Sequence, residues 1–210
     1  MRTRVKVCGI TRERDAVAAA KAGADAIGFV FWPGSPRQIA PRQAARLGRT
    51  LPAFVTRVGV FVNASPAAVA HAVRDAALDA VQLHGDEDPR AYRRCGARVI
   101  KALPLTSAAD VRKALRYPTD VSVLVDVRDP VRRGGTGRLA NWTLAAHLAR
   151  RRSIVLAGGI GPANVRQAVR EVRPWGIDVS SGVEVSPGRK SAARIAALMA
   201  NVAKADREVS

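Results

Sequence analysis

Short apolar runs alternate with segments rich in alanine and arginine from one end of the chain to the other. Eight runs read as strands: 4–8 (RVKVC), 26–31 (AIGFVF), 57–62 (RVGVFV), 80–84 (AVQLH), 98–102 (RVIKA), 121–126 (VSVLVD), 153–158 (SIVLAG) and 176–181 (GIDVSS). Helical spacing occupies 13–23, 41–48, 66–76, 88–96, 107–117, 141–151 and 162–172, and a last helix at 191–205 closes the pattern. Regular strand–helix alternation predicts a parallel sheet with helices packed outside it. Strand starts recur roughly every 20 to 30 residues, too close for a second domain between them. Eight units spread evenly predict one compact α/β domain over residues 1–205, a closed (β/α)8 TIM barrel, with 206–210 as a frayed tail. The alternative is a doubly wound sheet. That fold usually carries a glycine fingerprint in its first strand–helix turn, where CGITRERD has a single glycine.

Composition changes this picture little. The 210 residues are 48% hydrophobic and 25% charged, as one well-cored domain requires. No apolar run approaches membrane-spanning length, and MRTRVKV lacks the hydrophobic segment of a signal peptide, so a cytoplasmic protein with no membrane partner is expected. Two cysteines argue against a disulfide framework. With three scattered histidines and no C-x-x-C or H-E-x-x-H spacing, they predict no metal site. The net charge of +18 raises nucleic-acid binding or capture of anionic substrates. Yet the arginines are spread over many segments, without a basic tail or stripe, and aromatics are only 4%. The charge therefore reads as a solvated basic surface with some steering of an anionic substrate, and no nucleic-acid partner is expected.

Candidate chemistry gathers at the strand ends, where a barrel places its active site. Cys8 ends the first strand, His84 the fourth and Asp126 the sixth, while Asp178 lies late in the eighth. Cys8 by itself is open between packing, nucleophile, base and metal ligand. Either aspartate alone can cap a turn, but convergence of four polar ends on one rim points to a site. His84 reads as a binding residue. Period two puts Lys6 on the face of Cys8, Gln82 on that of His84 and Ser180 on that of Asp178. The turns after the last two strands, 157–165 and 180–188, bring Gly158, Gly159, Ser181 and Gly182, whose backbone N–H groups suit a phosphate. In the loop FWPGSPRQI, prolines on both sides of Ser35 direct Arg37 to a defined place, either to clamp a carboxylate or as a surface arginine. Residues 132–142 read as a glycine-rich flap anchored by Trp142.

Taken together, KVCGIT, GFVFWPGSPRQI, VGVFVN, VQLHG, GGTG, LAGGIGPANV and DVSSGVEVSPGRK resemble the phosphoribosylanthranilate isomerases of tryptophan biosynthesis. The likeness runs from Lys6 to Lys190 in the family's order. It implies a compact barrel catalysing an Amadori rearrangement of a phosphorylated small molecule, without metal or organic cofactor, as a monomer or homodimer. It also implies Cys8 as general base, Asp126 as general acid and Arg37 facing the anthranilate carboxylate. Lys6 then stands where its ammonium would favour a Cys8 thiolate. Leu139 and Asn141 depart from the family's usual Phe and Asp, and Ser191 from a frequent Asp. Two rivals are the related aminoaldose isomerase of histidine synthesis, or a dual-substrate enzyme, which uses an aspartate where Cys8 stands, and a nucleic-acid-binding barrel.

Overall fold

The computed structural model describes residues 2–126 and 142–209. In chain order it runs β1 Arg4–Cys8, α1 Glu13–Lys21, β2 Ala26–Val30, α2 Pro41–Gly48, β3 Thr56–Phe61, α3 Pro66–Ala76 and β4 Ala80–Leu83. A 3₁₀ turn, Pro89–Tyr92, leads to β5 Arg98–Pro104, α4 Ala108–Arg116, β6 Ser122–Asp126, α5 Trp142–Ala149, β7 Ile154–Ala157, α6 Val165–Val172 and β8 Gly176–Val179. A second 3₁₀ turn, Ser181–Val183, a hairpin of β9 Glu184–Ser186 and β10 Arg189–Lys190, and α7 Ala192–Val209 follow. β1 pairs in parallel with both β2 and β8, which closes the eight strands into a barrel.

Alternation along each strand sorts the side chains. Val5, Val7, Ile27, Phe29, Val81, Leu83, Val123 and Val125 point outward into the apolar layer under the helices. The inward face carries two small apolar groups, Cys8–Val30–Val60 and Ala102–Leu124–Ala157. It also carries buried Lys6, Gln82 and Asp178. The barrel therefore has a dry outer core and a partly polar interior. Among the described residues no helix is long and apolar enough to cross a membrane.

Two expectations are corrected. The helix predicted at 88–96 is only the single turn Pro89–Tyr92, opened by Asp88, whose carboxylate accepts from the Arg90 amide at 3.0 Å. The segment DEDPRAYRR is too densely charged to offer the apolar stripe a longer helix needs. A buried ion pair covers β5 instead. Lys101 shares the outward face of Val99 and Leu103 and donates to the Gly85 carbonyl at 2.5 Å and to Glu87 Oε2 at 3.1 Å. Glu87 in turn accepts from the amides of Asn63 (2.6 Å) and Gly85 (2.8 Å), tying two loops together.

The frayed tail is the second correction, since residues 206–209 form the last turn of α7. Asp206 is buried against the chain's beginning: its carboxylate accepts from the Thr3 amide at 3.0 Å and the Thr3 hydroxyl at 2.6 Å. Glu208 pairs with Arg166 and, at 3.6 Å, with Arg170 of α6. Asp206→Ala would leave the Thr3 amide without its carboxylate acceptor, and stability in urea should fall by about 1–3 kcal/mol. An unchanged midpoint would return this turn to the status of a loose end.

Candidate active site

The C-terminal strand ends form the site rim, beginning with Cys8. Cys8 pairs in register with Gly28 of β2. A side chain at Gly28 would put its Cβ 2.8 Å from Cys8 Sγ and 3.1 Å from Lys6 Cε. The glycine thus makes the space in which thiol and lysine stem lie side by side. Lys6 Nζ donates to Asp178 Oδ1 at 3.0 Å and to Gln82 Oε1 at 2.8 Å, linking β1, β8 and β4 inside the barrel. A lysine can only donate, so the Gln82 amide must turn its NH2 outward. That NH2 meets His84 Nδ1 at 2.9 Å, which makes Nδ1 the acceptor and places the proton of a neutral ring on Nε2. His84 itself is exposed at the rim.

Burial pushes the Cys8 thiol above its ordinary value; Lys6 and Lys190 pull it back, while Asp178 adds to the rise. Lys6 acts in the direction expected of it, but desolvation is the larger effect. Burial also works against the Lys6 ammonium, yet Asp178 and Cys8 together raise that group above its ordinary value.

Arg37 reaches the site over Gly9, where a Cβ would fall 2.5 Å from Arg37 Cδ and where φ is +74°. Its two-bond carboxylate clamp exists, but Glu184 fills it: Nε donates to Oε1 at 2.9 Å and Nη2 to Oε2 at 2.6 Å. Lys190 donates to the same Oε1 at 2.7 Å and to the carbonyl and hydroxyl of Ser180 at 3.2 and 3.4 Å. Burial opposes ionisation of Glu184, but Arg37 and Lys190 outweigh it and hold the carboxyl below its ordinary range. Burial pushes Lys190 down in spite of Glu184 and Cys8. The hairpin bearing both residues is pinned over the first loop, with the Lys190 amide on Asp15 at 3.0 Å and the Thr11 hydroxyl on the Gly188 carbonyl at 2.6 Å. Sequence reasoning missed Glu184 and Lys190. Their signal was two charges flanking the turn VSPGR just after an apolar strand, a spacing that pairs them across the hairpin.

The glycine turns after β7 and β8 meet. A Cβ on Gly182 would lie 2.1 Å from the Ile160 carbonyl oxygen and 2.9 Å from Gly161 Cα. Gly158 and Gly159 have φ of +98° and +65°. Gly159 and Ser181 are exposed, and Asn164 braces the first turn through the Gly161 amide and the Gly159 carbonyl, both at 2.9 Å. Asp126 stands half-buried at the end of β6, on the inward parity of Leu124 and beside Pro104 and Ala157 in the sheet register. Ser191 caps α7, its hydroxyl accepting from the Arg194 amide at 3.2 Å, a task an aspartate would also perform. The flap, with Leu139 and Asn141, lies outside the described residues apart from Trp142, which is buried at the start of α5. Among the described residues no three His, Cys, Asp or Glu side chains are grouped to hold a metal. Cys95 is buried just before β5, at the opposite barrel end from Cys8.

A family model described as N-(5'phosphoribosyl)anthranilate (PRA) isomerase matches residues 5–201. The N-(5'-phosphoribosyl)anthranilate isomerase of Magnetococcus marinus is 44% identical over 205 residues, 98% of this chain and 97% of the relative. The phosphoribosyl anthranilate isomerase structure from Thermotoga maritima superposes with a TM-score of 0.89 at 42% identity, covering 96% of this chain and 99% of that one. A phosphoribosyl anthranilate isomerase in complex with reduced 1-(o-carboxyphenylamino)-1-deoxyribulose 5-phosphate gives 0.86 at 40% identity, covering 96% and 99%. With the closed eight-stranded barrel and near-complete coverage in every comparison, the chain belongs to the N-(5'-phosphoribosyl)anthranilate isomerase family.

Proposed function

We propose that Cys8 and Asp126 are the base and acid of this enzyme's reaction. That reaction is the Amadori rearrangement of N-(5-phosphoribosyl)anthranilate to 1-(2-carboxyphenylamino)-1-deoxyribulose 5-phosphate in tryptophan biosynthesis. Asp126, as a neutral carboxyl, protonates the ribose ring oxygen while the C1′–O bond breaks and the anthranilate nitrogen forms an iminium. The Cys8 thiolate then removes the C2′ proton, and the electron pair moves into the iminium to give an enolamine that tautomerises to the ketone. The substrate's own iminium is the electron sink, so no step calls for a metal or organic cofactor.

The observation that carries this reading is the setting of Cys8: a thiol in a glycine-made space at the barrel mouth, with the buried lysines Lys6 and Lys190 bearing on it. Arg37, with Nε and Nη2 held by Glu184, meets the anthranilate carboxylate through Nη1, and the touching turns of Gly158, Gly159, Ser181 and Gly182 take the phosphate. His84 and Asp178 complete the polar lining toward the sugar. On this reading the enzyme works in the cytoplasm as a monomer or homodimer, with neither nucleic acid nor membrane as partner.

Cys8→Ser and Asp126→Asn should each lower kcat by about 10²–10⁴-fold, the usual contribution of a positioned acid or base. Anthranilate fluorescence follows the turnover, and near wild-type kcat in Cys8→Ser would return the thiol to packing. Because burial holds the thiol above its ordinary value, activity limited by thiolate should still be climbing with pH beyond neutrality.

A second expectation separates the two glycine turns. Gly182→Ala drives a Cβ into the Ile160 carbonyl and forces the turns apart, whereas a Cβ on Gly159 meets nothing within 4 Å. KM, and the inhibition constant of inorganic phosphate, should rise at least about tenfold in Gly182→Ala, and only a few-fold in Gly159→Ala, which bears left-handed strain alone. Equal effects, or none, would place the phosphate elsewhere.

A further inference from the structure

Glu184 carries more of the site's geometry than the reaction scheme uses. Its carboxylate is buried and accepts four hydrogen bonds. Oε1 takes Arg37 Nε at 2.9 Å, Lys190 Nζ at 2.7 Å and the Gly188 amide at 3.1 Å, while Oε2 takes Arg37 Nη2 at 2.6 Å. These donors come from separate parts of the fold, Arg37 from the loop after β2 and Lys190 from β10. Lys190 goes on to Ser180, whose hydroxyl lies 3.2 Å from the Cβ position of Gly9, the residue after Cys8. Among the described residues, the two cations Arg37 and Lys190 converge on this one carboxylate.

We propose that Glu184 is a positioning residue of the isomerase site, one carboxylate that holds both the guanidinium meeting the substrate's carboxylate and the Lys190 ammonium, which is bonded to Ser180 beside the turn after Cys8. The proposal rests on the roles given above to Arg37 and Cys8. Without Glu184, Arg37 loses its two-bond buried carboxylate partner, and Lys190 loses the carboxylate that favours its ammonium against burial. The groups bearing on the Cys8 thiol are Lys6 of β1, Asp178 of β8 and Lys190 of β10. Those bearing on Lys190 are Glu184, Cys8 and Arg37. A neutral Lys190 would remove one of the two cations that favour the thiolate.

Glu184→Gln tests this selectively. The amide oxygen can keep the Oε1 partners, but its NH2 then faces Arg37 Nη2, donor against donor. Two readings are taken on a Cys95→Ala background: KM by fluorescence, and the pH midpoint of Cys8 alkylation by iodoacetamide, which reports the thiol without turnover. Glu184→Gln should raise KM about tenfold or more and move the alkylation midpoint up by about half a pH unit or more. Arg37→Ala should reproduce the first change, and Lys190→Met the second.

If Glu184→Gln lowers only the melting temperature, or shifts just one of the two readings, the proposal is overturned. Should that variant not fold, Arg37→Ala and Lys190→Met combine in a cycle on kcat/KM. Losses that fall short of multiplying support a shared anchor, and independent losses overturn it. Since alkylation is read without catalysis, an active Cys8→Ser enzyme would defeat the base assignment while leaving this test intact.

Discussion

A lysine inside a closed barrel has to find an anion, and the interior is organised around that requirement. Lys6 lies on the inward face of β1, where solvent cannot reach it, and a bare ammonium there would cost several kcal/mol. Asp178 of β8 supplies the counter-charge and Gln82 of β4 the second acceptor, so three strands are locked by one ammonium. Such a pair adds little net stability over apolar residues of the same size, because both charges lose their water. What it adds is a fixed positive charge beside Cys8 and, through Gln82, a fixed ring orientation for His84. Among the described residues no buried side-chain polar atom lacks a partner, so this interior is costly to alter but internally complete.

The same logic repeats around Glu184, with space rather than charge as the limiting quantity. Arg37 and Lys190 converge on one carboxylate only because Gly9 lets the arginine stem pass and the β9–β10 hairpin folds back over the first loop. Gly28 leaves room for the thiol, and Gly182 lets two turns touch. These three glycines matter for the volume they do not occupy. The buried charges determine which states the site holds, and the missing side chains determine where those charges lie.

The basic surface has a less uniform origin than its composition suggests. Arg152 is partly buried and donates to the carbonyls of Ala114 (3.0 Å), Tyr117 (2.6 Å), Pro118 (2.8 Å) and Val121. One guanidinium thereby satisfies the end of α4 and the turn into β6. Arg57 holds Asp79 by two bonds at 2.8 and 2.9 Å, joining adjacent strand starts at the other end of the barrel from the site. Part of the arginine-rich composition is therefore structural mortar rather than solvated surface.

Strand positions and barrel class were legible in the sequence, as was the placing of Cys8, His84, Asp126 and Asp178 at or near strand ends, because they depend on local periodicity. An apolar run with a polar last residue reads the same wherever the chain folds. Lys6 and Gln82 were visible as inward-facing by alternation alone, although their partnership was not. The rest depended on distance in space. The last turn of α7 looked like a loose end because its anchor, Thr3, lies at the far end of the chain. The fourth helix shrank to a single turn because its segment is too charged to offer an apolar stripe, and Glu87 within that segment pairs instead with Lys101 of β5. Glu184 escaped notice for the same reason: its role comes from a loop after the second strand and a hairpin after the eighth, which only barrel closure brings together. Periodicity reports which face a residue takes, whereas a buried charge is explained only by the partner that tertiary structure places against it.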